Sequence, residues 1–327
     1  MVMILLALGL LNPSAPPPIR PKPAALAVSV QGDGSSSHLL AVGGGLIEVD
    51  VHLDDSDLTM DDVLSWVQRS AEAVANYYGR FPVHHARVIV TQSSDAGHSI
   101  HGTTWGNIDG SQGLTRIRLG RSVTKSDLAV GWTMTHELVH MALTSLPDEN
   151  HWLEEGLATY IEPIARAEDG QLAVAEVWRE MLDDMQKGEP ASGDRGLDRT
   201  HTWGRTYWGG ALFCLVADIE IRRATANHKS LQDALRAIVA AGATIDTERP
   251  LLAVLRIGDH ATGTTVLEDL YSRWKDKPVT VDLDQLWSDL GVQQGPHGIT
   301  FDDHSPLANI RRSMIQLPRS SKAIRVP

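Results

Sequence analysis

The alternation of apolar and polar positions predicts a small mixed sheet in the first part of the chain. Residues 46–53 alternate as a half-buried strand does, and residues 87–91 form a short apolar run typical of a buried strand. Between them, apolar side chains at helical spacing predict a helix over residues 59–78. Residues 114–119 alternate as an edge strand does, whereas residues 102–113 are rich in glycine and typical of turns.

Helical spacing dominates the pattern after residue 125. One helix is expected over residues 126–142, with Ser126 as its N-cap. A late strand over residues 298–301 is expected to return to the sheet. Further helices are expected over residues 148–165, 171–186, 206–223, 230–241, 266–275 and 283–290.

This order of elements predicts an α+β fold, in which a small mixed sheet is followed by a mainly helical subdomain. We expect a mixed N-terminal part over residues 25–125 and a helical part over residues 126–327.

The N-terminus has the pattern of an export signal. Residues 1–11 are almost wholly apolar and too short to span a bilayer, and a proline-rich linker follows. Residues 1–24 are therefore expected to be a signal segment and linker of a secreted or periplasmic protein without a stable membrane span. No Lys or Arg precedes the apolar run, and the alternative is an apolar tail. A further loop is expected over residues 31–37.

Composition excludes several classes of function. The formal net charge of -12 disfavours binding to nucleic acid, because an acidic surface repels phosphates. The chain has one cysteine, Cys214, so neither an intrachain disulfide nor a thiolate metal cluster is possible.

The segment His136-Glu137-Leu138-Val139-His140 carries the first chemical signal. On a helix, residues four apart lie on one face, so both imidazoles can reach one zinc ion. Glu137 is turned by about 100° from His136 and can reach a water molecule at the metal as general base. A catalytic zinc needs a third protein ligand and one open position.

The sequence around Trp152-Leu153-Glu154-Glu155-Gly156-Leu157-Ala158 resembles the gluzincin metallopeptidases, which include thermolysin-like and aminopeptidase N-like enzymes. The resemblance implies a thermolysin-like zincin fold with the active-site helix at the junction of its two parts. It also implies that Glu155 is the third ligand of one zinc ion, with Glu154 as the alternative.

A further segment, Tyr207-Trp208-Gly209-Gly210-Ala211, resembles the Tyr-x-x-Gly-Ala pattern of aminopeptidase N-like enzymes. It implies that Tyr207 stabilises the oxyanion of the transition state. Aminopeptidase N-like enzymes also carry Gly-x-Met-Glu-Asn ahead of the zinc helix, and the comparable residues 102–107 contain no acid. Cleavage at chain ends and internal cleavage therefore both stay open.

The resemblance implies a peptidase acting on a peptide or protein substrate. We expect an extended peptide to pair with the strand over residues 114–119. Two other functions stay open: a zinc hydrolase of a non-peptide substrate, and a catalytically inactive binding protein that keeps the fold.

Overall fold

A computed structural model describes residues 27–32, 35–53 and 57–317 of the chain. The predicted signal segment and linker over residues 1–24 lie outside these residues. Strands are β1 (Ala27–Gly32), β2 (Ser35–Val42), β3 (Gly45–His52), β4 (His85–Gln92), β5 (Ile100–Ile108), β6 (Ser111–Leu119), β7 (Val292–Gly295) and β8 (Gly298–Phe301). Helices are α1 (Met60–Tyr78), α2 (Lys125–Val130), α3 (Thr133–His140), α4 (His151–Glu168), α5 (Val174–Asp184), α6 (Gly210–Ala224), α7 (Leu231–Ala240), α8 (Leu251–Thr262), α9 (Val266–Trp274), α10 (Leu283–Leu290) and α11 (Ala308–Met314).

The main sheet has the strand order β1-β2-β3-β4-β6-β5. β3, β4 and β6 run parallel, while β1, β2 and β5 are antiparallel to their neighbours. Gly43 and Gly44, both with positive φ, form the tight turn between β2 and β3. The mixed sheet and the helices that follow it are those of an α+β fold.

One face of the sheet carries the core. Alternate residues of β3, β4 and β6, such as Val49, Val88 and Ile117, are fully buried beneath the helices. α1 packs against β2 and β3, and α3 packs against β5 and β6. The catalytic motif predicted from the sequence therefore lies beside the β5 end of the sheet.

The expectation of turns over residues 102–113 was wrong, because β5 and β6 occupy almost all of this segment. A single turn with positive φ at Asp109 and Gly110 joins the two strands. A side chain at Gly102 would collide with Glu137, and one at Gly106 would collide with the carbonyl of Ile245. These glycines permit close packing within strands and do not form turns.

The predicted position of the sheet edge was also wrong. β6 pairs with β4 and β5 on its two sides, and among the described residues the strands at the two edges are β1 and β5. The alternation of residues 114–119 arises because the other face of β6, with Arg116 and Arg118, is exposed.

Other boundaries also differ from the expectation. The helix expected over residues 126–142 is two helices, α2 and α3, which are separated by Gly131 and Trp132. The N-cap of α2 is Thr124 and not Ser126, because Thr124 forms a capping box with Asp127. The strand over residues 298–301 pairs with β7 in a separate hairpin and not with the main sheet. Residues 31–37 belong mostly to the hairpin of β1 and β2. The helices α8 and α11 and the strands β1, β2 and β7 were not expected.

None of the described helices is both long and apolar enough to cross a lipid bilayer.

Candidate metal centre

Two helices bring the three predicted metal ligands together. His136 and His140 lie one turn apart on α3, and Glu155 lies in the second turn of α4, which packs against α3. The ligand atoms of the three side chains all lie within 4.8 Å of one another. The sequence therefore places two imidazoles and one carboxylate around a common point.

The two distances from the Glu155 carboxylate to the histidine nitrogens fit a tetrahedral zinc site. Glu155 Oε2 lies 3.2 Å from His136 Nε2 and 3.7 Å from His140 Nε2. Ligands about 2.1 Å from a tetrahedral zinc stand about 3.4 Å from each other. The donor set of two imidazoles and one carboxylate is also the one found at hydrolytic zinc sites with an open position.

Glu154, the alternative third ligand, takes other partners. Its Oε1 accepts a hydrogen bond from the backbone N–H of Leu146 at 2.9 Å, and its Oε2 lies 2.9 Å from His151 Nδ1. His151 Nε2 lies 3.4 Å from Glu155 Oε1. His151 thus bridges the two glutamates, and Glu155 is left with Oε2 facing the histidines.

The protonation states of the ligands suit a metal. Burial lowers the pKa of His140 to about 4, so its imidazole is neutral at neutral pH. Burial alone would raise the pKa of Glu155, but the hydrogen bond from His136 and the positive charges that His140 and His136 carry at low pH outweigh it and lower this pKa to about 2. A neutral imidazole and an ionised carboxylate are the forms that bind zinc.

Glu137 lies on the same helix and reaches the cleft beside the ligands. Its Oε2 accepts a hydrogen bond of 2.8 Å from Thr104 Oγ1 on β5. Burial raises the pKa of the Glu137 carboxyl, and the charge of His136 and the hydrogen bond from Thr104 oppose this only in part. A carboxylate with a raised pKa is a better proton acceptor.

Tyr207 approaches the same point from a third element. It lies in a short π-helical segment, Arg205–Gly209, directly before α6. Its ring stacks on His136 with the centroids 6.3 Å apart and the planes at 15°. Burial and the neighbouring Glu155 carboxylate raise the pKa of Tyr207 to about 12, so its hydroxyl stays protonated and can donate a hydrogen bond.

Two glycines set the distance between Glu155 and Tyr207. A Cβ atom at Gly156 would stand 2.3 Å from the Cα of Gly210, so the backbones of α4 and α6 touch at this point. Glu155 directly precedes one of these glycines, and Tyr207 lies a turn before the other. The Gly-containing patterns noted in the sequence therefore have a packing role.

The side chains line a cleft of about 990 Å³ between β5 and helices α3 and α4. Residues of β5, Trp132 and Ile245 complete its walls. Thr104, His151 and Trp132 were not expected from the sequence to belong to the site. Only the position of Trp132, one helical turn before His136, is a signal that the sequence offered.

No known family profile matches the sequence, and no curated protein matches it. Among solved structures, an aminopeptidase N family protein from Idiomarina loihiensis is similar, with 12% identity and a TM-score of 0.57 over 83% of this chain and 50% of that one. An M1 zinc metallopeptidase from Deinococcus radiodurans has 16% identity and a TM-score of 0.46 over 79% of this chain and 52% of that one. The chain thus spans about half the length of these neighbours. The first likeness shows that the two proteins share a fold over the matched part.

Proposed function

We propose that the chain is a zinc-dependent metallopeptidase, in which His136, His140 and Glu155 hold one zinc ion. The observation that carries the proposal is the convergence of these three side chains, with Glu137 and Tyr207 beside them in one open cleft. Bound zinc would supply a Lewis acid that polarises the scissile carbonyl and acidifies a water molecule.

Glu137 is the general base in this proposal. It takes a proton from the attacking water, and the same carboxyl then passes the proton to the leaving amine. Thr104 holds Glu137 Oε2, so the other carboxylate oxygen is available for this transfer. The Tyr207 hydroxyl donates a hydrogen bond to the developing oxyanion and keeps its proton, because its pKa is raised.

The open edge of β5 gives a route for the substrate. Its residues Gly102 to Gly106 line the cleft, and among the strands that the structure describes only β6 pairs with it. An extended peptide that pairs with this edge brings its backbone past Glu137. This replaces the strand over residues 114–119 as the place of pairing.

The test combines zinc content with cleavage of quenched peptides. The wild-type protein is expected to hold about one zinc per chain, and Glu155→Ala is expected to lose it. Glu154→Ala, the matched neighbour, is expected to keep zinc because its carboxylate binds Leu146 and His151. Glu137→Gln is expected to keep zinc and to stop cleavage.

The contrary results point to the other functions. A wild-type protein that binds no zinc, or keeps zinc without Glu155, would remove the metal site and favour a binding protein. A zinc-loaded protein that cleaves ester or amide substrates but no peptide would favour a hydrolase of another class.

A further inference from the structure

Trp132 is a large aromatic side chain left half-exposed beside the candidate metal centre. It keeps 52% of its surface accessible, and its indole lines the cleft. Most tryptophans bury the greater part of their surface, so an exposed one in a cleft indicates a binding surface.

Helix stability does not explain a tryptophan at this position. Trp132 is the N-cap of α3 and makes no side-chain hydrogen bond to the helix. Ser, Thr, Asp or Asn would cap the helix better. Compared with a Ser, Thr, Asp or Asn at this position, Trp132 stabilises the helix less and exposes more apolar surface.

The helix aligns Trp132 with the metal ligands. Trp132, His136 and His140 are spaced four residues apart and therefore lie on one face, with about 6 Å between successive side chains. The indole meets His136 edge to face, with the ring centroids 5.3 Å apart. A substrate side chain next to the reacting carbonyl would therefore come within reach of the indole.

The cleft differs chemically on its two sides. Near Trp132 its wall has the apolar Ile100, whose Cδ1 lies 3.6 Å from the place that a Cβ atom on the neighbouring Gly131 would take. Elsewhere the wall carries charge, with Asp148, His151 and Glu154. Trp203, another exposed aromatic near the centre, does not line this cleft, and its ring contacts Tyr207 and the Lys187 ammonium.

We propose that Trp132 and Ile100 form a subsite that selects peptides with a large apolar or aromatic side chain next to the scissile bond. This inference rests on the proposed peptidase function, because it assumes that the substrate is a peptide. An aromatic side chain stacks on or packs against the indole, and a small side chain leaves that surface in water.

A binding measurement tests the subsite apart from catalysis. Two peptide hydroxamates, identical except for Phe or Ala at the residue next to the zinc-binding group, are titrated into the zinc-loaded protein by calorimetry. The wild-type protein is expected to prefer the Phe compound by about 10- to 100-fold. Trp132→Ala is expected to reduce the preference to about 3-fold or less, and Trp132→Phe to an intermediate value. Phe301→Ala, an exposed aromatic position outside the cleft, is the control and keeps the full preference.

Zinc content is measured in every variant because Trp132 contacts His136. If Trp132→Ala does not hold zinc, Trp132→Phe decides: a reduced preference supports the subsite, and an unchanged one overturns it. The subsite is also overturned if the wild-type protein binds the Phe and Ala compounds equally well, or if Trp132→Ala keeps the full preference for the Phe compound.

Cleavage of the matching Phe and Ala peptides is followed on the same samples. A zinc-loaded protein that shows the hydroxamate preference and cleaves neither peptide supports the subsite and overturns the peptidase function. A protein that cleaves both peptides equally well and shows no hydroxamate preference overturns the subsite and leaves the peptidase function standing.

Discussion

Substituting Gly102 by alanine is expected to reduce catalysis while leaving the metal site intact. A Cβ atom at this position would stand 2.4 Å from Cγ and 2.6 Å from Oε1 of Glu137. Ordinary contact begins near 3.4 Å, so the carboxylate has to move by about 1 Å, away from the position that Thr104 fixes. A misplacement of about 1 Å in a catalytic group lowers the rate by about 100-fold, which corresponds to about 2.7 kcal/mol in the activation barrier.

The assay is steady-state cleavage of a peptide by zinc-loaded protein. We expect kcat of Gly102→Ala to fall by about 100-fold with zinc content unchanged, because the new methyl group meets the base and not the ligands. Glu137→Asp shortens the side chain and relieves the collision. The double variant is therefore expected to lose less activity than the product of the two single losses.

Two results would refute this reasoning. If Gly102→Ala keeps the wild-type kcat, β5 or Glu137 gives way without consequence and the position of the carboxylate is not critical. If Gly102→Ala loses zinc, the collision is transmitted to the histidines and Glu137 is not separable from the ligand set.

Three further predictions concern the surroundings of the centre. His151→Ala is expected to weaken zinc binding by about 10- to 100-fold in competition with a chelator, because it frees Glu155 Oε1; unchanged affinity would exclude this role. Gly156→Ala is expected to lower the melting temperature by about 5 °C or more, because its Cβ meets the backbone of Gly210; an unchanged melting temperature would contradict the contact. Burial raises the pKa of Glu162 to about 7 from 4.5, although the charge and hydrogen bond of Arg166 oppose the rise. The folded state therefore keeps a proton on this carboxyl between these values, and the stability that Glu162 contributes falls as pH rises through them. Between pH 5 and pH 7.5, the melting temperature of Glu162→Gln is expected to fall less than that of wild type. Equal losses would argue against a raised pKa of Glu162.

Periodicity predicted the elements whose packing is regular. The helix α1 was expected to begin at Thr59, which is its N-cap, and β3 and β4 were recognised from their apolar pattern. The two histidines and Glu137 could be placed from their spacing alone, because the geometry of one helix fixes their relative positions.

The remaining errors arose where tertiary contacts decide the local structure. β5 looked like a turn because its glycines are required by contacts with Glu137 and with Ile245, which no local pattern reveals. The break at Gly131 interrupts a sequence that continues with helical spacing. The choice between Glu154 and Glu155 depended on a family resemblance, since spacing treats two neighbouring residues alike.

The exposed edge of β5 can pair either with a peptide substrate or with a strand of another copy of the protein. The hydrogen-bonding groups that a peptide substrate would meet are equally available to a strand of another copy, and exposed edges are common sites of aggregation. Gly102 and Gly106 weaken the strand, and Asn107, with a φ of 53°, departs from extended geometry near its end. These features limit the length of regular edge that two copies can share, while a short peptide in the cleft needs only a few residues of it. A sequence optimised for a stronger β5 would therefore gain strand stability and lose colloidal stability at high concentration.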